Sequence, residues 1–315
     1  MKVFVAGASG ALGAPLVAEL VTAGHEVVAM TKTASRQDGL RALGARPVVA
    51  DALDPDAVAR VVGEAEPEVI VHQLTALSGA TDMRHLDRFF AVTNRLRTEA
   101  TDHLLAAGRA VGARRFVAQS WAGWRYARTG PQVQTEADPI DPDPPAVLRS
   151  GVTAIRYLEE AVTTIEWGEG LVLRYGVFYG PGTGISSAPD AVMAALVRKR
   201  RFPLVGDSSG VWSFIHIEDA AAATAVAVER GRPGVYNIVD DDPAAVREWL
   251  PALAKALGAK PPRHIPRWLG RLAAGEAATI MMTDVRGASN ANAKNDLRLE
   301  LRYPSWRLGF AKGLD

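Results

Sequence analysis

Hydrophobic positions in the first half of the chain fall in short Val- and Ile-rich runs, separated by stretches whose apolar residues recur at helical spacing. The runs Lys2–Ala6, Glu26–Met30, Arg46–Ala50, Val69–His72, Arg115–Gln119 and Leu171–Arg174 predict strands. Strands alternating with helices predict βαβ units and a parallel sheet. Asp54-Pro55 and Asp82 carry signals for helix N-termini. A long helix is predicted near Val152–Thr164, where Val152, Ile155, Leu158 and Val162 share one stripe and the charges lie mostly off it.

The alternation fades after Tyr179–Gly184, a breaker-rich turn. Helices are expected near Ala188–Lys199, Glu218–Glu229 and Pro243–Leu257, with short strands near Ser213–Ile217 and Val235–Ile238. Gly130 to Pro145, dense in proline and carboxylates, suits an extended surface loop crossing near a site. The fold class expected is α/β, a Rossmann-like doubly wound parallel sheet with a small C-terminal substrate lobe. Residues 1–176 would form the dinucleotide-binding part, with 213–239 returning to it. Residues 177–212 and 240–315 would form the lobe.

Composition narrows the function classes. With 315 residues and a formal charge of +1, the chain can bury a large core and is not built mainly around nucleic acid or an anionic membrane surface. It has no cysteine, which excludes disulfides, thiolate catalysis and cysteine-ligated metals. No apolar run is long enough to cross a membrane, and the chain begins directly in an expected core strand. A soluble cytoplasmic protein is expected. The six histidines form no metal-ligand spacing, so no metal is expected, and His216, on an apolar strand, reads as a satisfied core residue. Arg198-Lys-Arg-Arg201 ends an apolar helical run and reads as a helix C-terminus.

The first strand feeds Gly7-x-x-Gly10-x-x-Gly13, and an amphipathic segment follows at once. A glycine turn between a strand and a helix start offers backbone N–H groups and the helix dipole to a pyrophosphate. In NAD enzymes a carboxylate near the end of the second strand binds the ribose 2′-hydroxyl. Here that region carries Lys32 and Arg36 instead, which suits the 2′-phosphate of NADP(H).

Further pieces join this turn: Asp51-Ala-Leu-Asp54, Phe116-Val-Ala-Gln-Ser120, Leu173-Arg-Tyr175 with Tyr179-Gly-Pro-Gly182, Phe214-Ile-His-Ile-Glu-Asp219 and Tyr236-Asn-Ile238. In order and spacing the chain resembles the extended short-chain dehydrogenase/reductases, the NAD-dependent epimerase/dehydratase-like group, over nearly its whole length. The resemblance implies that the dinucleotide lies against Gly7, Ser9, Gly10, Ala11, Leu12 and Gly13, then Thr31, Lys32 and Arg36, Asp51 and Ala52, Gln73, Leu74 and Thr75, Asn94 and Tyr175.

The departures bear on chemistry. The family's catalytic signature is Tyr-x-x-x-Lys at the start of the long helix, usually with a Glu four residues after the Lys. Counting back from Glu160 puts Arg156 at the lysine position and Val152 at the tyrosine position; counting from Glu159 gives Ile155 and Gly151. Either way the phenol is missing. Ser120 falls where the family keeps a Ser or Thr and is expected to polarise a substrate oxygen, so that Ser120→Ala depresses turnover. Arg156 is placed on cofactor ribose, and the proton would come from Tyr126, a carboxylate of the proline-rich loop such as Glu136, or water. Val177 and Trp212 replace an Asn and an Arg that the resembled enzymes use for a sugar diphosphate. With Trp121, Trp124 and Val152 they suggest a less charged, aromatic or polyketide-like substrate.

The leading expectation is an NADPH-dependent oxidoreductase acting on a small organic carbonyl or enone. Non-redox isomerase, cyclase or lyase chemistry on the same fold, and a dinucleotide-sensing regulator without turnover, stay open. The expected partner is a small molecule, with neither nucleic acid nor membrane, and a homodimer is left open.

Overall fold

A computed structural model describes residues 1–77 and 85–315; the helix signal at Asp82 lies outside them. Its centre is a seven-stranded parallel sheet. The first five strands in the chain are β1 (Lys2–Ala6), β2 (Glu26–Thr31), β3 (Arg46–Val49), β4 (Val69–His72) and β5 (Arg115–Trp121). The sheet runs β3, β2, β1, β4, β5, then Glu169–Tyr175 and finally Gly234–Ile238. Strand order therefore reverses at β1, whose neighbours are β2 on one side and β4 on the other. Such a switch opens a crevice at the carboxyl ends of the strands.

These strands read as apolar runs because helices cover both faces. One layer packs Val3, Val5, Val69 and Val71 against the first helix, α1 (Gly13–Thr22), and the helix Ile217–Glu229. The other packs Phe4, Ile70 and Phe116 against helices Pro55–Ala65 and Glu99–Ala110. Asp54 caps the first of these, its carboxylate accepting from the N–H groups of Asp56 and Ala57, and Pro55 takes the opening position.

The long helix runs Ala146–Thr163 and starts directly after Pro145, earlier than its strongest stripe suggests. Its first turn buries Leu148 in a separate core, which joins Phe90 and Val152 to Trp212, Phe214, Trp249 and Trp306. The smaller lobe is thus built on this aromatic core, and residues of the sheet-side helices enter it. The proline-rich loop is tethered: Val133–Gln134 pairs in parallel with Gly287–Ala288, and Tyr126 bridges Ile140.

Candidate active site

Backbone geometry forces the glycine turn. Gly7 has φ of 90°, and a Cβ there would sit 2.7 Å from the Gln73 carbonyl oxygen beyond β4. A Cβ on Gly13 would overlap the Gly7 carbonyl, so α1 can close on the turn only because Gly13 has none. The N–H groups of Gly7 and Ala8 both donate to Met30 O, which pins the turn to the end of β2. No side chain caps α1, so its opening N–H groups have no side-chain acceptor. Gly10 and Ala11 are exposed, and Ser9 Oγ pairs with Thr31 Oγ1 at 2.8 Å. Room without Cβ atoms, beside an uncapped helix start at the switch point, fits a dinucleotide pyrophosphate.

The remaining cofactor candidates surround this cradle. Lys32 Nζ lies 2.7 Å from Asp51 Oδ2, and that contact together with the Leu53 N–H holds the Asp51 carboxyl below its ordinary range. Arg36 is exposed, in the short turn Ala34–Arg36. Leu12 and Ala52 are buried, Leu74 N donates to His72 Nδ1, and Thr75 is exposed. Gln73 Nε2 donates to the Tyr175 hydroxyl, which also pairs with Thr224 at 2.6 Å. Tyr175 is wholly buried, its hydroxyl held between Gln73 and Thr224. Asn94 approaches Ser150 at 3.5 Å, and its amide oxygen is buried without a partner.

At the carboxyl end of β5 the sequence expectations need correction. Ser120 Oγ donates to Glu159 Oε1 at 2.7 Å, so its proton is committed inside the protein. Arg174 grips the same carboxylate with two N–H groups, and Arg125 adds a third. Glu159 is buried and Glu160 exposed, so counting back from the buried glutamate places Ile155 and Gly151 in the signature positions. No Tyr in the chain is followed four residues later by Lys. Val152 is instead core, with no exposed surface. Arg156 is exposed and donates to the Asp141 carbonyl, which ties it to the proline-rich loop.

Tyr126 is also buried and donates to Asn237 Oδ1 at 3.1 Å. Burial raises its pKa, which makes it a poor proton source. Of the loop carboxylates, Asp138 accepts from Thr135, Asp141 from the Asp143 N–H, and Glu136 from the Asn237 N–H at 2.6 Å. His216 behaves as a structural residue, pairing with Gly313 O and accepting from the Glu218 N–H.

Four of the substrate candidates meet. Trp121, Trp124, Val177 and Trp212 line one apolar pocket with Ala122, Gly123, Val211, Ser213, Met281, Val285 and Arg286. Its enclosed free volume is about 20 Å³. Trp121 lies over Gly123, and Trp124 packs edge-on against Phe90 with centroids 5.3 Å apart. A Cβ on Gly151 would meet a single neighbour within 4 Å, Trp124 Nε1 at 3.9 Å. The position that the count from Glu159 assigns to the family's phenol therefore faces the Trp124 indole, whereas Val152, the position counted from Glu160, is core.

Sequence reasoning missed Arg286, Arg125 and Arg97, and used Glu159 only as a counting position. Arg286 is brought in by the pairing of Gly287 with Val133, a long-range event with no local signal. Arg97, Arg125 and Arg174 are all buried; Arg125 and Arg174 share the Glu159 carboxylate, which acts on Arg97 only through its charge. Desolvation lowers the Arg97 pKa to about 10.

A seven-stranded parallel sheet switched at β1, with this cradle at its carboxyl edge, defines a Rossmann-like α/β protein. The chain belongs to the NAD dependent epimerase/dehydratase family, whose model matches residues 3–239. It is similar to a 3-diazoavenalumate denitrifying reductase from a Streptomyces species, 44% identical over 99% of this chain and 100% of the relative. A 2-alkyl-3-oxoalkanoate reductase from Stenotrophomonas maltophilia is 28% identical over 82% of this chain and 76% of its own. Among solved structures, the UDP-glucose 4-epimerase of Thermotoga maritima superposes with a TM-score of 0.76 at 21% identity. That alignment covers 100% of this chain and 97% of the epimerase, and it establishes the fold.

Among the described residues no helix is long and apolar enough to cross a membrane, and no cluster of His, Asp and Glu could hold a metal ion.

Proposed function

We propose that this protein is an oxidoreductase of the short-chain dehydrogenase/reductase kind, using NADPH to reduce a small organic substrate that is not a nucleotide sugar. The observation that carries the reading is the pairing of a glycine cradle with an apolar pocket walled by Trp121, Trp124 and Trp212. Similarity to two named reductases supports the redox class. A bound nicotinamide would supply the hydride.

The chain's own residues orient and polarise. Gly7, Gly10 and Gly13 would hold the pyrophosphate, and Lys32 with Arg36 the 2′-phosphate. Trp121 and Trp124 would clamp the substrate between their rings. Their indole N–H groups are buried without partners, which makes them the hydrogen-bond donors nearest to hand for a developing oxyanion. Two buried guanidiniums, Arg125 and Arg174, against the one Glu159 carboxylate leave surplus positive charge beneath the end of β5, and this too favours a negative transition state. Indole does not release its proton, and Ser120 and Tyr126 donate internally, so water protonates the product.

The test is loss of reduced-nicotinamide absorbance with a panel of aromatic ketones, enones and UDP- and dTDP-sugars. Oxidation coupled to a ketone or enone is expected, with no binding of any sugar nucleotide. Substrate conversion without NADPH consumption would instead select non-redox chemistry. Binding of NADPH with no turnover of anything would select a sensing role.

A further inference from the structure

We infer that the substrate is an aromatic carboxylate whose acid group is received by Arg286. The inference rests on the proposed function only in taking this pocket as the substrate site. The polar inventory of the pocket carries it. Trp212 Nε1 is satisfied by Met281 O at 2.7 Å, and Ser213 Oγ accepts from Ala288 N and donates to Ala288 O. What remains is Trp121 Nε1, Trp124 Nε1 and Arg286 Nε, each buried and without a partner. All three are donors. Among the described residues no carboxylate lines the pocket to neutralise the guanidinium.

A buried donor left unpaired is costly, and a cost repeated three times in one pocket is removed by a ligand that brings acceptors. The guanidinium calls for an anion, because charge-assisted hydrogen bonds to a carboxylate are about twice as strong as neutral ones. The indoles call for a flat ring beside that anion.

A phosphate would also match Arg286, but an extended diphosphate needs several cations, and among the described residues Arg286 is the sole cation lining the pocket. Arg286 Nη2 already donates to the Arg128 carbonyl, so the guanidinium is held in place before a ligand arrives. That contact also links the acid group to the tethered loop, at the strand pairing of Gly287 with Val133.

The experiment is calorimetric titration of the NADP⁺-saturated protein with cinnamate, phenylacetate and benzoate, each against its methyl ester and primary amide. At least one acid should bind ten-fold or more tightly than its ester and amide. Arg286→Gln should abolish that preference while leaving ester affinity within about three-fold, and Arg286→Lys should restore part of it. Unfolding curves establish that both variants are folded. Should one of them not fold, the acid-to-ester ratio in the unmodified protein still decides.

Esters or amides binding as tightly as the acids would overturn the inference. So would failure of every acid to bind, or an Arg286→Gln protein that keeps the preference. The two readings fail separately. Acid-selective binding with no NADPH oxidation by any carbonyl substrate would remove the reductase function and keep the carboxylate site. Turnover of neutral ketones with no acid preference would do the reverse.

Discussion

Glu159 shows how a residue can dominate a site without facing a ligand. Its carboxylate accepts from Ser120, Arg125 and Arg174, and the cluster fastens the long helix to the ends of two sheet strands. Ser120→Ala should therefore act on stability first. Losing a hydrogen bond to a charged group should cost about 2 kcal/mol in denaturant unfolding, with turnover within a few-fold of the parent. A hundred-fold loss of kcat at unchanged stability would return Ser120 to the role of substrate donor. Lys32 and Arg36 invite the opposite expectation. The Lys32–Asp51 pair is exposed and worth little to stability, so the double variant Lys32→Ala, Arg36→Ala should melt nearly as the parent does. Its NADP⁺ affinity should fall ten-fold or more, while NAD⁺ binding barely moves. Equal affinity of the unmodified protein for the two dinucleotides would refute the assignment.

Among the elements, those buried on both faces were the most legible. β4 has the bounds that its Val-Ile-Val run implies, and β1 likewise, because a strand covered by helices needs an unbroken apolar run. Ends were less legible. β5 extends to Trp121 and the next strand to Tyr175, since polar or aromatic residues at a sheet's carboxyl edge still pair while serving the site. The helix Arg267–Thr283 gave no clear periodic signal, and it is broken at Gly275, where φ is 91°. Glycines that look alike in sequence also differ. Gly13→Ala would drive a Cβ into the Gly7 carbonyl, so NADPH binding should be lost or weakened at least ten-fold. Gly151→Ala lies in a helix interior with no neighbour closer than 3.9 Å. It should raise stability by about 0.5–1 kcal/mol. Comparing melting midpoints and NADPH affinities of the two variants checks both expectations, and a destabilised Gly151→Ala protein would show that Trp124 needs the space.

At the scale of the whole molecule, burial of ionisable groups sets how stability responds to pH. Asp240, at the junction of the sheet and the aromatic lobe core, is 1% exposed, and one of its oxygens has no partner among the described residues. Burial, reinforced by the neighbouring Asp241 and Asp242, pushes its pKa up to about 8 from an ordinary value of 3.8. Between those two values the folded protein holds more protons than the unfolded chain, so stability falls as pH rises. His72 works the other way. Burial lowers its pKa to about 4 from 6.5, so across that interval the unfolded chain holds more protons and stability falls as pH drops. The two slopes oppose each other between pH 4 and 6.5, whereas only the Asp240 slope continues from 6.5 to 8. Burial raises the pKa values of Glu136 and Glu159 as well, so their effect on stability has the same sign as that of Asp240. Unfolding free energy should thus decline by up to roughly 1.4 kcal/mol per pH unit above 6.5, the slope for one proton. Asp240→Asn keeps the shape of the neutral acid and removes its ionisation. Denaturant titrations of both proteins at several pH values across this window should give curves that diverge as pH rises, with the variant the more stable at pH 8. Parallel curves would mean that Asp240 ionises freely in the folded protein, and that the surrounding polar groups solvate its charge as well as water does.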